Sequence, residues 1–362
     1  MMPIRKNALI STLLALAIWA GCSSSPATHT AYVTLPGANG VAGFRVNNHS
    51  GHLTGIFGSP FSTGMSPASI WVHPSNKFVY VANQSEGNIS LLKIDSSTGA
   101  LTEVMPRTPA GITPVSLVMD SGGNFLFVAN ETSGTISVYS IDSSSGSLTE
   151  TSGSPFATNP TPVALMLTPS GKFLYVANAI TNQPLVTAYS VAPGAGTLQA
   201  ILGSPFSVGV GNGPSSLTVD PAEKFLFVTN SLDNTISVLA IDPSGALAPI
   251  AASPFVTGTF PISVTVHPSG FLYVANLQSN NISAYSLDPS TGVPTQITNS
   301  PFSASGGPVF ITVDSGGKFL FVCGETSRTI SEFSIDSKTG ALTSSSGSAT
   351  LGSAPTSMFT TK

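Results

Sequence analysis

The chain has 362 residues, 41% of them apolar and only 8% charged, with a formal charge of −4. That is ample material for a large core, with far fewer charges than the roughly 25% of an average globular protein. Such a balance excludes a basic nucleic-acid-binding patch and a basic amphipathic membrane face.

Arg5 and Lys6 precede an apolar run over residues 8–20. The run is too short to span a bilayer and suits a signal-peptide core. It ends in Trp19-Ala20-Gly21-Cys22, followed by three serines. The segment resembles the lipobox of bacterial lipoproteins, with Trp19 where an aliphatic residue is usual. The resemblance implies cleavage before Cys22 and lipidation of Cys22, which anchors the chain to a membrane. Ser23, in place of Asp, implies the outer membrane of the cell envelope. Residues 1–21 are then the signal peptide, 22–30 the lipidated tether and 31–362 the folded domain. Without the leader, ten basic residues face 16 acidic ones, for a charge of −6. The second cysteine, Cys323, stands in mid-strand and reads as a small buried thiol. Two cysteines build neither a disulfide framework nor a cysteine-based metal site.

From Tyr32 onward one motif recurs. Its fullest copy is Phe173-Leu174-Tyr175-Val176-Ala177-Asn178, and its third residue recurs as Tyr32, Tyr80, Phe127, Tyr175, Phe227, Tyr273 and Phe321. The steps are 48, 47, 48, 52, 46 and 48 residues. A fixed period of this size signals a repeat architecture. Each unit opens at a proline (67, 114, 162, 214, 261, 308, 355) and continues into a short alternating strand, A. A Pro-Ser-Gly-type turn leads to strand B, which is the motif itself. A polar loop leads to strand C, such as residues 135–142, and a Ser-Thr-Gly turn leads to strand D, such as residues 146–149. Five units close with Ser-Pro-Phe; those around Arg107 and Ala349 lack it. Period-two alternation between Gly, Pro, Ser and Asn turns predicts strands, with no competing helical pattern. The expected fold is all-β: a seven-bladed propeller with four antiparallel strands per blade. The first unit lacks strand A, and residues 355–360 supply an extra one. The C-terminal strand is therefore expected beside Tyr32, closing the ring. The longest step is assigned to loops at 179–184 and 208–213.

The repeat resembles the YVTN-type propeller repeat, and the chain from about residue 31 onward resembles the seven-bladed propeller lactonases, which include 6-phosphogluconolactonase. The resemblance implies hydrolysis of a sugar lactone at a channel mouth built from Glu, Arg and often His. A propeller fold alone does not establish an activity.

Residues that recur at one register serve the blade. Asp95, Asp142, Asp242, Asp288 and Asp336 end strand C, while Asp120, Asp220 and Asp314 end strand A, a register shared by His73 and His267. These read as turn formers. Off-register charges remain: Glu86, Glu131, Asp233, Glu325 and Arg328 in B–C loops and Arg107 in a D–A connection. All fall on the same face. Ester hydrolysis needs a base for water and a cation for the oxyanion. The candidates are Glu131, Glu325 and Arg328 for catalysis and Glu86, Arg107 and Asp233 for binding. Two arginines are few for a phosphorylated substrate. No zinc-ligand spacing, Ser-His-Asp set or phosphate loop is present, so no cofactor is expected. The alternative is a non-catalytic module that binds a protein or glycan on the loop face. The chain is expected to be a monomer.

Overall fold

The computed structural model describes residues 28–179, 185–209, 212–304 and 306–361. Cys22, the leader and most of the tether lie outside the described residues, as do 180–184 and 210–211 of the two longer loops. Strand B of the first blade is Thr28–Leu35, so it takes in three residues expected in the tether.

Seven antiparallel sheets stand around a central axis, each running A–B–C–D outward. The A strands touch their neighbours in sequence: Pro67–Val72, Pro114–Met119, Pro162–Leu167, Pro214–Val219, Pro261–His267, Pro308–Val313 and Met358–Thr360. The last touches the first, so the ring is closed. Met358–Thr360 pairs with the first blade as expected, with Tyr32 opposite Phe359. Ser357 and Thr361 extend this seam through bonds with Thr34 and Thr30, the Thr361 amide donating to the Thr30 carbonyl at 2.8 Å.

The seven motif aromatics at the third position of strand B are completely buried. Each contributes roughly 1.5–3 kcal/mol of burial. Four are tyrosines, whose hydroxyls reach the C–D turn of the next blade: Tyr32 to Gly99 O, Tyr80 to Gly146 O, Tyr175 to Gly245 O and Tyr273 to Gly340 O, at 2.7–3.0 Å. Burial raises the pKa of Tyr80 and keeps this donor protonated. The first residue of strand B seals the same seam. A Cβ on Gly51 would lie 2.6 Å from the Phe319 ring, so the turn must be glycine there.

The outer strand departs from the expected four-strand blade. In five blades it is split: Leu148–Glu150, then Phe156–Ala157, both paired to strand C. Ser-Pro-Phe forms the break. Its serine hydroxyl accepts the strand-C amide that the break leaves unpaired, as Ser154 does from Val138 at 2.9 Å. Where the motif is absent, strand D is one nine-residue element, Leu101–Pro109 or Leu342–Thr350.

Candidate functional site

The loop face is assembled by one repeated bond. In six blades the first residue of the B–C loop donates its amide to the carbonyl of the residue before the strand-A proline: Gln84 to Ser66, Glu131 to Thr113, Ala179 to Thr161, Ser231 to Gly213, Leu277 to Phe260 and Glu325 to Gly307, at 2.8–3.0 Å. Strand A lines the axis, so these residues ring the channel mouth. The accepting residues adopt left-handed backbone even where they are not glycine, with φ of 54° at Ser66, 62° at Thr113, 56° at Thr161 and 58° at Phe260. This geometry turns the chain sharply into the axis. Beneath it lies the last residue of strand B, a fully buried asparagine in five blades. Asn130 donates to Thr135 and Ser137 and accepts from the Gly111 amide, tying the B–C loop to the D–A connection.

The candidate charges fall into two groups on this frame. Glu86 and Arg107 come together, and a residue absent from the sequence candidates joins them. Arg107 Nε donates to Glu103 Oε1 at 2.8 Å and Nη1 to Glu86 Oε2 at 3.0 Å. Glu103 also accepts from Ser90 Oγ at 2.6 Å, and Glu86 from Asn88 Nδ2 at 3.0 Å. The Asn88 amide, opposed by partial burial, holds the Glu86 carboxyl below its usual range, with help from the Met65 amide and Arg107. Glu103, then Glu86, raises the pKa of Arg107. Asp233 is engaged as well, accepting the Asn212 amide at 2.6 Å.

Glu131, Glu325 and Arg328 differ. Among the described residues no side-chain hydrogen bond or ion pair engages any of them. Glu131 faces a cleft of about 490 Å³ with Thr132, Ser133, Thr158 and Thr161. Glu325 and Arg328 are exposed and, although three residues apart, form no ion pair with each other. Arg328 has φ of 52° at the turn position that other blades give to Gly87, Gly134, Asn234 and Asn280. Its carbonyl still makes the turn's bond, accepting from the Leu351 amide at 2.8 Å.

Below the mouth runs a channel of about 430 Å³ lined by the A strands. None of its lining residues is ionisable. Val115, Val163, Ile262 and Val309 line the end nearer the rim, and the Trp71 ring packs 4.8 Å from that of Phe359 toward the far end.

The opposite face holds the turn residues as the repeat register implies. Asp120 Oδ1 accepts the amides of Asn124 and Phe125. Hydrogen bonds led by the Ser290 hydroxyl pull the Asp288 carboxyl down to about 2. His73 and His267 are buried; each accepts a nearby serine amide at Nδ1, which leaves Nε2 to donate to Gly123 O or Gly317 O of the following blade. They close turns and brace seams. Burial pushes the Cys323 thiol up to about 12, so it is not a nucleophile.

Sequence reasoning missed two carboxylates, Glu103 and Glu332. Glu332 is only 1% exposed, in mid-strand C of blade 7. It accepts the Leu53 amide of blade 1 at 2.9 Å and the Ser345 hydroxyl at 3.1 Å, with His52 Nδ1 3.8 Å away. The available signal was register: the equivalent residues are Val138, Ala188, Val238 and Ala284.

No curated protein matches the chain by sequence. Among solved structures, a candidate 6-phosphogluconolactonase from Bacteroides fragilis superposes with a TM-score of 0.80 at 21% identity, covering 94% of this chain and 99% of that one. The periplasmic gluconolactonase of Pseudomonas aeruginosa gives 0.78 at 18% identity, covering 93% and 99%. A protein from Lactobacillus plantarum gives 0.78 at 18%, covering 93% and 100%. At such identities the likeness is one of fold. Residues 22–165 and 164–359 match the family described as "Lactonase, 7-bladed beta-propeller". That match runs through all seven blades, and the chain belongs to the seven-bladed β-propeller lactonase family.

Proposed function

We propose that the chain hydrolyses an unphosphorylated sugar lactone at the loop-face mouth of its channel. The observation that carries this reading is Arg328. Its side chain has no partner among the described residues, on a left-handed backbone position suited to Gly or Asn. Strain of this kind costs on the order of 1 kcal/mol and is retained where a side chain is wanted for more than the fold. On the same loop, Glu325 sits at the rim with its carboxylate unengaged, as does Glu131 on blade 3.

In this reading a rim carboxylate takes a proton from water as the water oxygen bonds to the lactone carbonyl carbon. Arg328 stabilises the oxyanion. The ring C–O bond then breaks, and the ring oxygen leaves as a hydroxyl with the proton held by the carboxyl group. Among the solved structures of the same fold, one carries the name gluconolactonase and another that of a candidate 6-phosphogluconolactonase, and the leader resembles that of a lipoprotein. We place the activity in the cell envelope, anchored through lipid on Cys22.

The test is a panel of sugar lactones assayed with wild type, Arg328→Ala, Glu325→Gln and Glu131→Gln. Loss of the guanidinium should lower kcat/KM on the order of a hundredfold. No hydrolysis above the spontaneous rate would end the enzymatic reading. A second reading, non-catalytic capture of a protein or glycan partner, draws on the exposed apolar side chains of Met65, Ile112 and Leu232 on the same face.

A further inference from the structure

Building on that reading, we infer that the lactone carries an apolar arm and that the arm enters the central channel below the rim. The wall dictates this. At the second position of strand A, nearest the mouth, stand Ala68, Val115, Val163, Ile262 and Val309. The one hydroxyl among the remaining blades' described A strands at that position, apart from Thr356, is Ser215, already bonded to Thr229 and to the Pro261 carbonyl at 2.8 Å. One position deeper, the hydroxyls of Ser69, Ser116 and Ser263 each accept an amide from the following blade, from Leu117, Leu165 and Ile311. Near the mouth the wall's hydroxyls are thus largely spent on holding the ring. Toward the far end, half-buried Trp71 and Phe359 pack against each other, and the same register carries Met166 and three threonines, Thr218, Thr265 and Thr312.

The rim above has the opposite character. Two unengaged carboxylates, Glu131 and Glu325, stand with one unengaged cation, Arg328. A phosphate monoester brings close to two negative charges and wants several converging cations. Here it would meet carboxylates at the rim and an uncharged wall below. An apolar substituent meets neither penalty. Each methylene it buries should improve binding about fourfold. The polar lactone head would stay at the rim while the arm displaces water from the throat.

The experiment uses the full chain with Trp19→Phe, which leaves Trp71 as its one tryptophan. A series of γ-lactones carrying unbranched alkyl groups from methyl to octyl is assayed for hydrolysis. The matching γ-lactams, which resist hydrolysis, are titrated against Trp71 emission. We expect kcat/KM to climb about fourfold per methylene until the arm reaches Trp71, and the longer lactams to shift its emission saturably. Val163→Asp, or the milder Val163→Ser, should pull the octyl-to-methyl ratio of kcat/KM toward one. Hydrolysis without dependence on the arm, and without a Trp71 response, overturns the inference and spares the lactonase reading. A saturable Trp71 response without hydrolysis of any lactone spares the channel site and ends the lactonase reading. A 6-phosphorylated sugar lactone hydrolysed faster than every alkyl lactone overturns the inference outright.

Discussion

In blades 2 and 7 the outer strand runs on as one element, Leu101–Pro109 and Leu342–Thr350, where the other five break it at Ser-Pro-Phe. Blade 2 puts Arg107 into the segment where the others carry that motif, while blade 7 has Gly347-Ser348-Ala349 there and carries its off-register charges in strand C and the B–C loop. In blade 2 the charges close on themselves: Arg107 lies between Glu86 and Glu103, and both carboxylates hold a second donor. In blade 7 they separate. Glu332 is buried in the seam with blade 1, while Glu325 and Arg328 stand in solvent without partners among the described residues. A charge bound into a network has its hydrogen-bonding capacity spent, and it serves the fold. A charge left open on a strained turn has capacity in reserve for a ligand. The same lapse in the repeat thus yields a brace in one blade and a candidate site in the other.

The sharpest way to break this contrast is at Glu332. Glu332→Ala leaves the Leu53 amide buried without an acceptor and opens a cavity at the ring seam. Those losses together should cost about 2–4 kcal/mol and lower Tm by several degrees. Glu332→Gln keeps an acceptor oxygen toward Leu53 and should cost less. Equal Tm values for wild type and Glu332→Ala would show that the blade 7 carboxylate is not structural.

A smaller effect is expected in blade 2. Arg107, Glu86 and Glu103 keep between 15% and 24% of their side chains exposed, so solvent screens the network. Arg107→Ala should cost about 1 kcal/mol by thermal unfolding and leave lactone hydrolysis within about twofold. The pH dependence has a definite sign. The Glu86 carboxyl sits below its usual range in the folded chain. Its contribution is therefore complete above the ordinary glutamate pKa and is lost as pH falls through the depressed value. A large loss of activity in Arg107→Ala with unchanged Tm would invert the comparison and move the site to blade 2.

The fold was legible because it repeats. The buried aromatics from Tyr32 to Phe321 mark each strand B, and the unmatched A strand around Met358 announces ring closure before any coordinate is known. The candidate site was only half legible. The same subtraction of the repeat that isolates Glu131, Glu325 and Arg328 also isolates Glu86, Arg107 and Asp233. What separates the two groups is partnership, which a spacing does not encode: Glu103 lies near Arg107 in the chain, but its bond to Ser90 depends on strand pairing. Glu332 escaped because it stands in a strand, where only its polarity at a Val or Ala register betrays it. The split outer strand was hidden as well. Ser-Pro-Phe reads as a closing turn, and only the pairing of Phe156 and Ala157 back onto strand C shows that the strand resumes.

The smallest expected effect is the most discriminating. At the turn position of Arg328 the backbone is left-handed, which costs a non-glycine residue roughly 1–2 kcal/mol and asparagine less. The Leu351 amide bonds the Arg328 carbonyl, and no side-chain hydrogen bond or ion pair of Arg328 is lost among the described residues on substitution. Arg328→Asn, which restores the residue type of Asn234 and Asn280, should therefore raise stability by about 0.5–1 kcal/mol, a shift in Tm of one to a few degrees. A side chain kept only by drift would give the same gain with no functional change. One kept for a ligand gives the gain together with the loss of lactone hydrolysis seen in Arg328→Ala. Opposite signs in the two measurements on a single variant are hard to produce by partial unfolding, since damage to the fold lowers both. If Arg328→Asn instead lowers Tm, the turn is not strained, and nothing in its backbone marks blade 7 as the open site.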